Sequence, residues 1–159
     1  MLKILGKLAS VAAMGLMALL PTVATAQTVD EIISRGKVII AIDTTTPPYG
    51  FLDENLEPTG FDIEVAEQMA AALGVEVEFV TVTSPGRIPS LLTNQVDAVI
   101  SIFSITPERA IQIDFSIPYA GQSAVVIAPK STAISGHEDL VGKKVGLTRG
   151  TAEIGRAHV

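Results

Sequence analysis

The sequence predicts a layered α/β fold built on a parallel sheet, and two observations carry that prediction. From Val38 onward the period of the apolar residues switches back and forth between strand-like and helix-like, as in a domain that alternates the two element types. Residues 38–42 form an unbroken apolar run, Val-Ile-Ile-Ala-Ile, the mark of a strand covered on both faces.

The remaining elements follow in order. Residues 44–49 break the pattern with two prolines and place a loop at the carboxyl end of that first strand. Over residues 61–73, Ile63, Ala66, Met69, Ala70 and Leu73 fall on one helical stripe, with Asp62, Glu64, Glu67 and Gln68 assigned to the water-facing side. Acids in the first turn suit the helix macrodipole, and Gly74 closes the helix. Residues 75–82 alternate as a second strand with Glu76 and Glu78 outward, 87–93 form a short helix, and 96–102 a third strand. Such an order implies right-handed crossovers, and ligands then gather at the carboxyl ends of the strands, where residues 44–49 and 101–109 lie. Further on, residues 124–128 read as a strand, 129–135 as a polar boundary, 138–141 as a helical turn and 144–147 as a strand. No internal repeat points to a solenoid.

Composition narrows the function. The chain has 159 residues, 48% hydrophobic, 18% charged and 4% aromatic, with no Cys, no Trp and a formal net charge of -6. Collagen, coiled coil and disulfide scaffolds are excluded. An acidic chain offers no basic face to nucleic acid or an anionic membrane, so neither is an expected partner. There is no HExxH, GxSxG or P-loop, and His137 and His158 lack metal-ligand spacing. Neither a catalytic residue nor a metal or other cofactor is therefore expected.

The N-terminus reads as an export leader. Lys3 and Lys7 precede the apolar residues 8–20, a stretch short for a bilayer span. Pro21 and then Ala24-Thr25-Ala26 follow, the small-x-small pattern that signal peptidase accepts. A signal peptide over residues 1–26 and a soluble periplasmic product are expected.

Ser104-Ile105-Thr106-Pro107-Glu108-Arg109 is the most informative stretch. Thr106 suits an N-cap, Pro107 the first helical position and Glu108 the positive helix end. Arg109 opposes the dipole there, which suggests a bound anion, most naturally a carboxylate gripped by the guanidinium fork; the plainer alternative is an exposed Arg paired with Glu108 or Asp114. Ser101 and Ser104 could complete such a site. Asp43, directly after the first strand, could face a ligand's ammonium or cap the turn. Tyr49 and Phe51 could stack on a ligand or lie in the core. Residues 146–151 run from a strand into Gly150-Thr151, which could offer backbone N–H groups to an anion. Asp97, within an apolar strand, is expected to bond backbone amides.

Taken together, Gly60-Phe61-Asp62-Ile63-Glu64-Val65, Arg87-Ile88-Pro89-Ser90-Leu91, Val96-Asp97, the 104–109 stretch and Asp114-Phe115-Ser116-Ile117-Pro118-Tyr119 resemble the bacterial extracellular solute-binding proteins of family 3, the periplasmic receptors of polar amino acid ABC importers. The resemblance implies a type II periplasmic-binding clamshell: a nearly complete first lobe over residues 27–122, a crossover at 123–129 and the start of the second lobe at 130–153. It also implies that Arg109 holds the ligand α-carboxylate. Ser101, Ile102 and Ser104 would contact the ammonium or carboxylate, and Thr148, Thr151 and Ala152 would reach in from the second lobe. The implied partners are a small-molecule amino acid and an ABC permease in the inner membrane, with a monomer when full length. The acid that usually pairs with the ammonium, and the segment that completes the first lobe, would lie further on.

Thr46 and Ser84 stand where family members that bind cationic or ring-clamped amino acids often place rings, a departure from that ligand class. Residues 154–159 look like a translated sequencing adapter, so the chain is expected to be part of a longer gene product. An enzyme of the cyclohexadienyl dehydratase type resembles the same family and is the rival reading. A sensor or lytic-transglycosylase module of a larger protein is the third.

Overall fold

Thr28 and Glu31 open the first helix, α1 (Val29–Arg35), with a reciprocal capping box: the Glu31 N–H donates to Thr28 Oγ1 at 3.3 Å and the Thr28 N–H to Glu31 Oε2 at 2.8 Å. Gly36, in the left-handed conformation at φ 71°, ends it. The computed structural model describes residues 28–153, so the expected leader and the expected adapter-derived tail lie outside the described residues.

The apolar run becomes β1 (Lys37–Ile42), the centre of a parallel sheet. Three short antiparallel strands follow, β2 (Thr45–Thr46), β3 (Gly50–Leu52) and β4 (Pro58–Thr59). β2 lies within the stretch 44–49 expected as a plain loop, and β3 and β4 follow it, because strands this short leave no apolar period to read. Then come α2 (Phe61–Leu73), β5 (Glu76–Thr81), a 3-10 turn (Ser84–Gly86), α3 (Arg87–Leu92), β6 (Ala98–Val99) and α4 (Pro107–Ala110). β5 and β6 flank β1, with Ile40 opposite both Phe79 and Ala98. Val38, Ile40 and Ile42 of β1 are buried with Ile63, Ala66 and Ala70 of α2 and with Ile100, and this cluster is the core. Each such aliphatic side chain contributes roughly 1.5–3 kcal/mol by leaving water.

Five expectations need correction. The third strand pairs only at Ala98–Val99, although the Asp97 N–H still donates to Ile39 O and the Ile100 N–H to Ala41 O. It ends early because Ile102 turns the chain at φ 33°. Residues 124–128 and 144–147 form no ladder: Val125 and Ile127 are exposed, and apolar composition cannot make a strand without a neighbour to bond. The helical turn expected at 138–141 is a 3-10 turn over His137–Leu140. Asp62 does not face water. It is buried at the start of α2, where its carboxylate accepts from the Ile102 N–H at 2.9 Å and the Tyr119 hydroxyl at 3.0 Å.

Gly60 fixes how α2 leaves the small sheet. Its φ is 119°, and a Cβ there would lie 2.5 Å from Tyr49 O and 2.8 Å from Pro48 O. Those carbonyls accept from the Asp62 and Phe61 N–H groups, so the glycine lets the first turn of α2 dock on residues 48–49.

Candidate functional site

The carboxyl ends of β1 and β6 open onto a polar cavity of about 440 Å³. Asp43, Ile102, Ser104, Arg109, Thr148, Thr151 and Ala152, all named from sequence, line it, as do Thr46 and Ser84. Tyr49 and Ser101 lie apart. Tyr49 lines a neighbouring apolar groove and packs edge-on against Phe61, with centroids 6.2 Å apart. Ser101 is buried and lines neither space, and its Oγ has no hydrogen-bond partner among the described residues.

Arg109 sits on α4 as the sequence implied. Thr106 caps this helix by accepting from the Arg109 N–H at 3.4 Å, and Pro107 occupies its first turn. The guanidinium is not paired with Glu108 or Asp114. It donates through NH1 to Ser104 O at 2.7 Å and through NH2 to Gly150 O at 2.8 Å, and it lies 4.5 Å over the Phe103 ring. Arg109 lines the cavity and carries more N–H groups than these two carbonyls consume, with the Glu153 charge nearby. Gly150 itself approaches the 84–85 turn closely: at φ 82°, a Cβ would lie 2.9 Å from Pro85 N. Arg109 thus ties the 146–151 segment to the sheet end. The Thr151 hydroxyl donates to Thr148 O at 3.0 Å, and both residues line the cavity.

Asp43 is committed to the protein. Its Oδ1 accepts from the Thr45 N–H at 2.9 Å and the Thr45 hydroxyl at 2.6 Å, and its Oδ2 accepts from Arg87 NH2 at 3.1 Å. The capping alternative therefore holds, with a buried ion pair added. Arg87 was not singled out from sequence, yet it lines the cavity and stands 5.4 Å over the same Phe103 ring. A signal was available. Arg87 is the first residue of α3, and a cation at a helix start is the anomaly that drew attention to Arg109. Asp97 behaves as expected, accepting from the Ile39 N–H at 2.7 Å, and it also takes the Arg35 guanidinium.

Asp62 holds the loop that leads into the cavity, because its carboxylate fixes the Ile102 N–H. Burial pushes this carboxyl above its ordinary range, partly offset by the Tyr119 hydroxyl and the Ile102 amide. An acid whose pKa is raised on folding stabilises fully below its unfolded pKa and loses that contribution as pH rises through the folded value. Asp62→Asn is therefore expected to gain stability relative to wild type between about pH 4 and about pH 7. Urea unfolding at both pH values reads the difference, and a gap that is constant or moves the other way contradicts the assignment.

With the site described, the chain can be set beside known proteins. Residues 38–154 match the family described as bacterial extracellular solute-binding proteins, family 3. The chain is 40% identical over 115 residues to ABC transporter arginine-binding protein 1 of Escherichia coli K12, covering 72% of this chain and 47% of the relative. To the L-cystine-binding protein TcyJ of the same strain it is 36% identical over 124 residues, 77% of this chain and 47% of that protein. It spans about half the length of the curated relatives it matches. Among solved structures, the arginine-bound form of domain 1 from TmArgBP of T. maritima aligns with a TM-score of 0.57 at 44% identity, covering 58% of this chain and 73% of that one. The ancestral amino acid-binding protein AncCDT-1, a precursor of cyclohexadienyl dehydratase, aligns with a TM-score of 0.58 at 47% identity over 59% of this chain and 41% of that one. These matches identify the α/β unit as first-lobe architecture of the type II clamshell.

Proposed function

The chain belongs to the bacterial extracellular solute-binding proteins, family 3, and from that premise we propose that its polar cavity is one face of a cleft that takes up a free amino acid and closes on it. The observation that carries this reading is Arg109. Its guanidinium is anchored by Ser104 O and Gly150 O and stacked on Phe103, and it lines the cavity with N–H groups beyond those two bonds. A planar fork held in this way matches a carboxylate and is already oriented before the ligand arrives. Ser104 and Ile102, which follow β6, line the cavity together with Thr148 and Thr151. A ligand bridging the two pairs favours the closed arrangement by the difference in its affinity for the two states.

In the whole protein, closure presents the amino acid to an ABC permease of the inner membrane, and the receptor works as a periplasmic monomer. The relatives named for arginine and cystine binding support the amino acid class. The likeness to AncCDT-1 favours a second reading, a dehydratase in the same cleft; formation of phenylalanine or phenylpyruvate from arogenate or prephenate would establish it.

Calorimetric titration of the chain with L-amino acids, beside amines and 2-oxo acids that lack one α-group, tests the binding reading. At least one amino acid is expected to bind while its truncated analogues do not. Equal binding by the amine removes the carboxylate role from Arg109.

A further inference from the structure

We propose that Phe103 is a positioning residue for the polar cavity: the electron-rich face of its ring, rather than its bulk, holds both cavity guanidiniums and keeps Arg109 set for a ligand carboxylate. This rests on the reading of the cavity as an amino acid site. Phe103 is not among the residues that line that cavity. Its ring lines the neighbouring apolar groove and packs on Phe115 there, with centroids 5.6 Å apart. Whatever it does to a ligand therefore passes through the arginines.

Both arginines use this one ring. Cζ of Arg109 stands 4.5 Å and Cζ of Arg87 5.4 Å over its centroid, within the range where the negative face of an aromatic quadrupole attracts a cation. The two cations also act on each other. Burial pushes the Arg87 guanidinium below its ordinary pKa, Asp43 opposes that, and the charge of Arg109 adds to it. Arg87 has the Asp43 carboxylate at 3.1 Å, whereas the hydrogen bonds from Arg109 to Ser104 and Gly150 end on neutral carbonyls. Those two bonds hold the Arg109 fork at NH1 and NH2 and so define an axis. A ring beneath the central carbon resists tilting about that axis, which hydrogen bonds in the guanidinium plane do not. Successive residues thus supply complementary holds, the Phe103 ring and the Ser104 carbonyl.

Calorimetry on the chain carrying ring-fluorinated phenylalanine at position 103 tests the assignment, because fluorine drains electron density from the ring face with little change in size. The probe is whichever L-amino acid binds the wild type most tightly, taken from L-arginine and L-cystine, which the names of its relatives give, and the remaining standard set. With one, two and three ring fluorines its affinity is expected to fall step by step, by about fivefold at three. Phe103→Leu should lose about tenfold, and Phe103→Tyr, which keeps the ring face, should stay within about twofold of wild type. The same fluorines at Phe115, which packs on Phe103, should change affinity by less than about twofold.

A flat series at position 103 in a protein that binds the probe overturns the proposal. So does a loss in Phe103→Leu that the fluorinated proteins do not share, since bulk alone would then suffice, and so do equal losses from fluorine at Phe115. If Phe103→Leu does not fold, the fluorinated proteins, which keep the ring, decide. A flat series defeats only the role of Phe103, whereas a wild type that binds no L-amino acid defeats the functional reading and this assignment with it.

Discussion

Arg87→Met is expected to lower the stability of the fold by about 3–5 kcal/mol, the range for removing one partner of a buried ion pair. Asp43 and Arg87 are 8% and 5% exposed, and they join the end of β1 to the start of α3 across the sheet. Methionine keeps most of the side-chain volume, so the loss measures an uncompensated carboxylate rather than a void. Thr45 still donates two hydrogen bonds to that carboxylate, which favours the lower half of the range. The double variant Arg87→Met/Asp43→Asn should recover much of the loss, because the buried charge is then gone. Urea unfolding of the four proteins closes the cycle, and additive losses would show that the pair is not coupled.

Arg109→Ala is expected to weaken amino acid binding by about 30-fold or more, near 2 kcal/mol. The guanidinium is half-buried, which sets the figure at the low end for a truncated charge pair. Arg109→Lys keeps the charge but loses the planar fork, and should fall between the two. Because Arg109 also ties Ser104 to Gly150, the alanine variant loses a structural link as well as the proposed ligand contact. The lysine variant separates these roles: near wild-type binding by it, with binding lost in the alanine protein, would mean that charge alone matters. Calorimetry reads both, and unaltered affinity in the alanine variant removes Arg109 from the site.

Much of the architecture was legible because it depends on local signals. The run at 38–42 and the stripe of α2 are periodic, and Thr106-Pro107 marks a helix start by capping chemistry alone. The Thr28 and Glu31 box was equally local, yet α1 went unread because its seven residues span only two turns, with Val29, Ile32 and Ile33 as the whole of its apolar stripe. Other features depend on contacts between distant segments. Asp62 lies among acids on α2, and only the arrival of residues 102 and 119 makes it a buried acceptor. Residues 124–128 have the composition of a strand but no paired neighbour, a circumstance that no periodicity records. In the cavity, place at a strand end located Asp43, and a cation in the first turn of a helix located Arg109. That Asp43 is already paired with Arg87 depends on a contact 44 residues away in sequence.

The most direct measurement is a backbone amide NMR titration of the chain with the amino acid that calorimetry selects. The account predicts shifts confined to the lining of the polar cavity, at Ile102, Ser104, Arg109, Thr148 and Thr151, with the Arg109 guanidinium N–H resonances moving as the carboxylate docks. Shifts that instead gather in the apolar groove around Tyr49, Met69 and Phe115, or an absence of any shift at saturating amino acid, would contradict it.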